Sequence, residues 1–238
     1  MDKLKSLVKK IVFTFIKPPV VQIYNTNSQA GEDKIVEFLF KSKGIQAIRY
    51  IDIGANDPIG HNNTYLFYSS NSSGVLIEPD TTFISRLEAA RPRDTVINAA
   101  VSTGSDTEAE LYVFADSALN TLSKADAELR QASGLNKILQ IKKVPLLTIA
   151  QVIDQYMEKC LPDLVSLDVE GVDLEILRSF PFEKYPVPVW IVETCAYSED
   201  HIKPKNTEII DLMLSRDYFV YADTYINTIF VHQNWFKA

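Results

Sequence analysis

The stretch Tyr50-Ile-Asp-Ile-Gly-Ala-Asn-Asp57, followed by Val75-Leu-Ile-Glu-Pro-Asp80, constrains the fold more than any other part of the chain. Each piece is a short, near-continuous apolar run, which marks a strand buried on both faces of a parallel sheet. The first run breaks at Gly54 and the second ends on Glu78. Between Asp52 and Glu78 there is room for one crossover helix. A strand that opens into a tight glycine turn, beside a strand that ends in a carboxylate, is built to hold a nucleoside. The turn lets backbone approach the ligand, and the carboxylate accepts from both ribose hydroxyls. A dinucleotide fingerprint also needs Gly-x-Gly-x-x-Gly, to admit a pyrophosphate and pack the helix closely. Here Gly54 is followed by Ala55, Asn56, Asp57 and Pro58. Asp52 and Asp57 beside the turn would repel a pyrophosphate and favour a cationic sulfonium. The expected cofactor is therefore S-adenosylmethionine rather than a nicotinamide dinucleotide.

With 238 residues, 46% of them hydrophobic and 23% charged, the chain suits one α/β domain with a single large core. No run approaches the roughly 20 apolar residues of a membrane span. Cys160 and Cys195 make neither a disulfide framework nor a metal cluster, which points to a reducing, cytoplasmic compartment. A net charge of -7 argues against a nucleic-acid partner. Charge is uneven, however. Residues 1–17 carry Lys3, Lys5, Lys9, Lys10 and Lys17 against Asp2 alone, with Leu4, Leu7, Val8, Ile11, Val12 and Phe15 at helical spacing. A basic amphipathic helix of this kind either packs on the domain or on a second subunit, or lies on an anionic membrane surface. Pro18-Pro19 ends it, so the expected organisation is a helix over 1–19 and one domain over 20–238.

Periodicity predicts helices over 30–42, 63–70, 148–158, 173–179 and 206–215, with a further one between Asp80 and Arg91. Strands are expected over 47–53, 74–77, 95–99, 164–169, 187–192, 218–222 and 228–231, the last two as an antiparallel hairpin at the sheet edge. Residues 110–114 and 138–146 read as further strands, and 124–132 as a short helix or a flap.

Ligands of open parallel sheets sit beyond the carboxyl ends of the strands. Four predicted strands end there in acids: Asp52 with Asp57, Glu78, Asp168 with Glu170, and Glu193. One such acid is commonly a helix cap. Four on one edge mark a site, because carboxylates gathered in a cleft are costly unless a cation or hydroxyl uses them. Glu78 suits ribose, whereas Asp80 is better placed to cap the helix after it. Transfer of a methyl group to oxygen needs alignment and removal of the hydroxyl proton. Candidate bases are Asp168, Glu170, Glu193 and His61. Asp168, Glu170 and Glu193 are also an oxygen-ligand set for a divalent cation, although no metal is predicted. His201 and His232 read as structural.

Taken in order, these residues resemble the FkbM-type S-adenosylmethionine-dependent methyltransferases. The likeness runs through Ser28-Gln-Ala-Gly-Glu-Asp33, the 50–57 and 74–80 segments, Asn63-Thr-Tyr65, Asn98-Ala-Ala-Val-Ser102, Ser166-Leu-Asp-Val-Glu-Gly171 with Leu174-Glu-Ile-Leu177, and Trp190-Ile-Val-Glu193. It implies a class I methyltransferase fold: α/β, a seven-stranded mostly parallel sheet with an antiparallel last strand and helices on both faces. The N-terminal amphipathic helix would be an addition to it. By position, Asp52, Gly54, Ala55, Asn56 and Asp57 would surround the methionine part of the cofactor, with Asp168 nearby. Glu78 would hold the ribose, with Pro79 and Asp80 beside it at the cofactor, and Gln29, Glu32 and Asp33 would close over the cofactor. The family usually methylates hydroxyls, often on sugars of bacterial surface polysaccharides or on natural products. The resemblance thus implies an O-methyltransferase acting on a glycan or its precursor. The alternatives are a natural-product methyltransferase and a non-catalytic cofactor-binding subunit of a glycan-assembly complex. Pro58 departs from the family pattern, which usually has glycine there, and it removes a backbone donor on the acceptor side. The segment 102–136, with Ser117 and Asn120, is expected to read the acceptor.

Overall fold

A computed structural model describes residues 25–104, 106–132, 134, 136–158, 160–169, 171–195 and 205–238. The predicted N-terminal helix, Glu170 and His201 lie outside the described residues. The elements run α1 (Glu32–Ser42), β1 (Arg49–Ile53), α2 (Tyr65–Ser69), β2 (Ser73–Ile77), α3 (Thr81–Ala90), β3 (Thr95–Ile97), β4 (Ala100–Val101) and β5 (Glu108–Val113). They continue α4 (Lys124–Ala132), β6 (Gln140–Leu147), α5 (Ile149–Tyr156), β7 (Leu164–Leu167), α6 (Asp173–Ser179), β8 (Val189–Glu193), α7 (Thr207–Leu214), β9 (Tyr218–Asp223), β10 (Asn227–His232) and α8 (Gln233–Lys237).

Seven strands form one sheet in the order β3-β2-β1-β7-β8-β10-β9. The pairings among β3, β2, β1, β7 and β8 are parallel, while β10 runs antiparallel to both β8 and β9. This is the class I methyltransferase sheet that the resemblance implies, with the last strand reversed. Alternation along the strands splits the core between two faces. Ile51, Ile53, Val75, Ile77, Val165 and Leu167 pack with Ile149, Val152, Leu177 and Met213 from α5, α6 and α7. Tyr50, Leu76, Leu164, Val189 and Ile191 face the other way, onto Val36, Leu39, Phe40, Phe67 and Leu87 from α1, α2 and α3. With both faces covered, every position on these strands favours an apolar residue, which is why their sequences look continuous rather than alternating.

Helix starts follow local chemistry. Asp80 caps α3 by accepting from the Thr82 N–H. Thr148 and Gln151 form a reciprocal capping box at α5, and Asn206 caps α7.

Two features were not anticipated. A second, three-stranded sheet, β4-β6-β5, includes the short strand Ala100–Val101, which the sequence hides because it is only two residues long. The chain also adds α8 beyond the last strand. The segment 124–132 is a helix, and its Asp126 carboxylate fills the space beside Gly171 (φ +104°), so α4 lies over the loop that follows β7.

Candidate active site

Beyond the carboxyl ends of β1, β2 and β7 lies a cleft of about 260 Å³. One wall is the large sheet and its turns: Ile53, Gly54, Asn56, Asp57, Ile77, Glu78, Pro79, Asp168 and Val169. The opposite wall comes from the small sheet and its connection, with Leu111, Asp116, Ser117, Asn120, Thr121 and Leu122. Ala99, Ala100 and Val101 close the apolar end, while Gln29, Gly60 and His61 stand at the other side.

Glu78 is the best-defined group in it. The residue is 6% exposed, and its carboxylate sits between two backbone donors. Oε2 accepts from the Asn56 N–H at 2.9 Å and Oε1 from the Asp80 N–H at 2.7 Å. Burial pushes its pKa up to about 7, against the lowering effect of those N–H groups and with help from the charges of Asp80 and Asp52. A buried carboxylate that still faces a cleft is stabilised by further hydroxyl donors, which a ribose supplies in pairs.

Gly54 has two reasons to be glycine. Its φ is +81°, and a Cβ would fall 2.0 Å from the Asp168 carbonyl oxygen. The turn therefore packs against the β7 loop as well as lining the cleft. Gly54→Ala should cost roughly 2–3 kcal/mol of stability, from left-handed strain plus overpacking, and should displace Asp168. Gly44→Ala, also at positive φ (+74°) but with nothing within 4 Å of the added carbon, isolates the strain alone. Denaturant melts of both variants check the difference; equal losses would show that the Asp168 contact is harmless.

The remaining expected residues divide between the cleft and the scaffold. Asp57, Asp168, Asn56, Pro79, Gln29 and His61 line the cleft. Burial works against ionised Asp57, but the Gly60 and Ile59 N–H groups and Arg86, at 2.8 Å, hold it below its ordinary range. His61 is exposed, in a left-handed backbone conformation (φ +51°). Asp52 is not among the lining residues. Its Oδ2 accepts from Thr64 Oγ1 at 2.7 Å and Asn62 Nδ2 at 3.0 Å, and that same Nδ2 lies 3.2 Å from the Ala55 and Asp57 carbonyls. Burial pushes Asp52 above the usual carboxylate range despite the nearby Arg91 guanidinium. Its shown contacts shape the 54–57 turn from beneath, and Ala55 is buried in the core on that side.

Glu32 and Asp33 are fully buried. Glu32 accepts from Ala30 N–H, Thr224 and Asn227, tying α1 to the β9–β10 hairpin. Asp33 accepts from Thr26, Asn27 N–H and Ser28, holding the loop that carries Gln29. Of this group Gln29 alone reaches the cleft wall. Glu193 ends β8, 7% exposed and opposite Asn227, outside the cleft lining. Among the described residues no group of three His, Cys, Asp or Glu side chains is placed to hold a metal. Glu170, a member of the proposed ligand set, lies outside them.

Several contributors were given no role from sequence. Asn98 donates to the Glu78 and Pro79 carbonyls at 2.9 and 3.0 Å and pins the turn after β2 to the end of β3. Its position in Asn98-Ala-Ala-Val was the available signal. Arg91, Thr64 and Asn62 carry the support of Asp52, and Leu111 and Leu122 supply an apolar wall that nothing in local periodicity connects to the site.

A family model described as the methyltransferase FkbM domain matches residues 52–220. No curated protein sequence matches the chain. Among solved structures, a TehB-like S-adenosylmethionine-dependent methyltransferase from Corynebacterium glutamicum is 6% identical, with 97% of each chain covered and a TM-score of 0.39. A 1,6-didemethyltoxoflavin N1-methyltransferase from Burkholderia thailandensis, solved with S-adenosylhomocysteine, is 10% identical over 97% of this chain and 84% of that one, at 0.41. Magnesium protoporphyrin IX methyltransferase from Synechocystis, solved with its methyl donor, is 7% identical over 84% and 77%, also at 0.41. None of these likenesses bears on the acceptor. The family match spans well over half of the chain and includes the Gly54 turn, Glu78, Asp168 and Glu193: the protein belongs to the FkbM methyltransferase family.

Proposed function

We propose that the protein is an S-adenosylmethionine-dependent O-methyltransferase acting on a sugar hydroxyl of a bacterial surface glycan or its precursor. One observation carries the cofactor. The ionisable lining of the cleft consists of Asp57, Glu78, Asp116, Asp168 and His61, with neither lysine nor arginine among the described residues. A pyrophosphate would meet a mainly negative lining there, whereas a sulfonium beside a ribose meets complementary charge and a hydroxyl acceptor. The apolar end at Ala99–Val101, Leu111 and Leu122 suits an adenine ring. The cofactor, when bound, supplies a methyl group already activated for in-line displacement.

The protein's part is alignment and proton removal. Asp168 lines the cleft where the β7 loop meets the Gly54 turn, and it is the proposed base, with Glu170 two residues on as its alternate and Glu193, buried at the end of the neighbouring strand and outside the cleft lining, assisting indirectly. Gln29, His61, Asp116, Ser117, Asn120 and Thr121 give the opening the donors and acceptors that a hydroxyl-rich acceptor needs. Calorimetric titration with S-adenosylhomocysteine tests the cofactor, with NADH as the control; binding of NADH alone would overturn the reading. Asp168→Asn should lower transfer to glycan precursors by at least about 100-fold while leaving S-adenosylhomocysteine affinity within a few-fold of wild type. Retained turnover would move the base elsewhere. A gain of one methyl mass in the surface glycan, lost on gene deletion, tests the acceptor class.

A further inference from the structure

The ribose turn is held from outside the large sheet. Asp80, whose N–H donates to Glu78, places its own carboxylate between two groups of the small-sheet wall. Lys142 Nζ on β6 donates to Asp80 Oδ1 at 2.9 Å, and Asn120 Nδ2 donates to Oδ2 at 3.2 Å. Both partners of the ion pair are largely shielded, with side chains 19% and 4% exposed. Lys142 lies directly opposite Leu111 in the β5–β6 ladder, and Leu111 lines the cleft. Opposed residues share a face of a sheet, so Lys142 stands on the cleft side. Asn120 in turn accepts from the Phe114 N–H at 2.9 Å, and Ser117 Oγ lies 3.4 Å from the amide oxygen of Asn56, whose N–H completes the Glu78 pair. The contacts close into a ring: Glu78, Asp80, Asn120, the 114–120 connection, Ser117, Asn56, and back to Glu78.

We propose that Lys142 is a positioning residue for methyl transfer: by pairing with Asp80 it clamps the small-sheet wall onto the ribose turn, so that cofactor capture and the wall opposite it are set as one unit. The inference rests on the proposed cofactor.

The clamp acts electrically as well as mechanically. The ionisable groups around Glu78 are Asp52 on β1, Asp57 with its partner Arg86 on α3, Asp80 with Lys142, and Asp116, Asp168 and His61 along the cleft. Lys142 is the cation in this set that offsets Asp80, whose charge opposes ionisation of Glu78. Removing the ammonium group therefore exposes Glu78 to an uncompensated neighbour. A residue that only packed the small sheet would have no such effect on a titration.

The test is S-adenosylhomocysteine titration of the full chain by calorimetry between pH 6 and 9, for wild type, Lys142→Met and Lys142→Arg. Lys142→Met should shift the pH midpoint of binding upward by about half a unit to one unit and weaken binding near pH 7 roughly tenfold. Lys142→Arg should restore both. Hydrogen exchange should show the 114–121 amides slowed by the ligand in wild type and not in Lys142→Met. If that variant does not fold, Lys142→Gln, which keeps a donor for Asp80 but no charge, is read the same way. Wild-type affinity and midpoint in the uncharged variant would overturn the clamp, as would an arginine variant as defective as methionine. Failure of the wild type itself to bind would instead sink the cofactor reading and the clamp with it.

Discussion

Glu78→Ala should lose S-adenosylhomocysteine affinity by roughly 10²–10⁴-fold at pH 8. Two charge-assisted hydrogen bonds to ribose, at about 1.5–3 kcal/mol each, set that range. The effect has a characteristic pH dependence. Because Glu78 in the free protein titrates at about 7, its carboxylate is fully available above that pH and increasingly protonated below it. Wild-type affinity should therefore fall toward one tenth for each pH unit below 7, while the alanine variant shows no such slope from this group. Stability runs the other way. A carboxyl raised from 4.5 to about 7 contributes stability that is fully present below 4.5 and lost as pH rises through 7. The stability difference between wild type and Glu78→Ala should thus move by about 3 kcal/mol in favour of the variant from pH 4 to pH 8. Ligand titrations and denaturant melts at those pH values check both halves. A flat binding profile would mean that Glu78 does not carry the ribose.

Arg91→Met should cost about 3–5 kcal/mol of stability, the largest loss expected from any single change described here. Arg91 and Asp94 form an ion pair at 2.8 Å with both side chains fully buried. The guanidinium also donates to Tyr50 OH at 2.8 Å, Thr64 Oγ1 at 2.9 Å and Asn62 Oδ1 at 3.1 Å. Methionine fills much of the volume but leaves Asp94 with a buried charge. In a chain of this size the thermal midpoint should drop by roughly 10 °C. The double variant Arg91→Met/Asp94→Asn should recover part of the loss, because it removes the stranded charge. No recovery would assign the cost to lost packing and to the Asn62 and Thr64 contacts.

The parallel strands were legible because burial on both faces forces continuous apolar runs, and the helix starts were legible because Asp80, Thr148 and Asn206 are local caps. Strand boundaries such as that of β3, expected to reach Ala99 but ending at Ile97, depend on pairing partners that a single strand does not encode. The same limit applies to the site. Gly54 and Glu78 announce themselves by position in a motif. Asp52 is expected near the cofactor for the same reason; its contacts with Thr64 and Asn62 span turns that periodicity does not see. The segment 102–136, with Ser117 and Asn120, was placed at the site from sequence, but the apolar lining by Leu111 and Leu122 was not, because the pairing of the two-residue strand β4 with β6 is not encoded in local periodicity.

The hydrogen bonds from Thr224 and Asn227 to Glu32 join residues nearly two hundred positions apart, and β10 sits inside the sheet rather than at its edge. During synthesis, then, the strands that carry Gly54, Glu78 and Asp168 emerge well before the hairpin that anchors the Gln29 loop. Contacts of such long range form late. A nascent chain arrested before Asn227 would hold the Gly54 and Glu78 turns but not the side of the cleft at Gln29, and its exposed β8 edge would be open to pairing with another chain. The strand that covers the β8 edge is thus the same one whose Asn227 holds α1 beside the cleft.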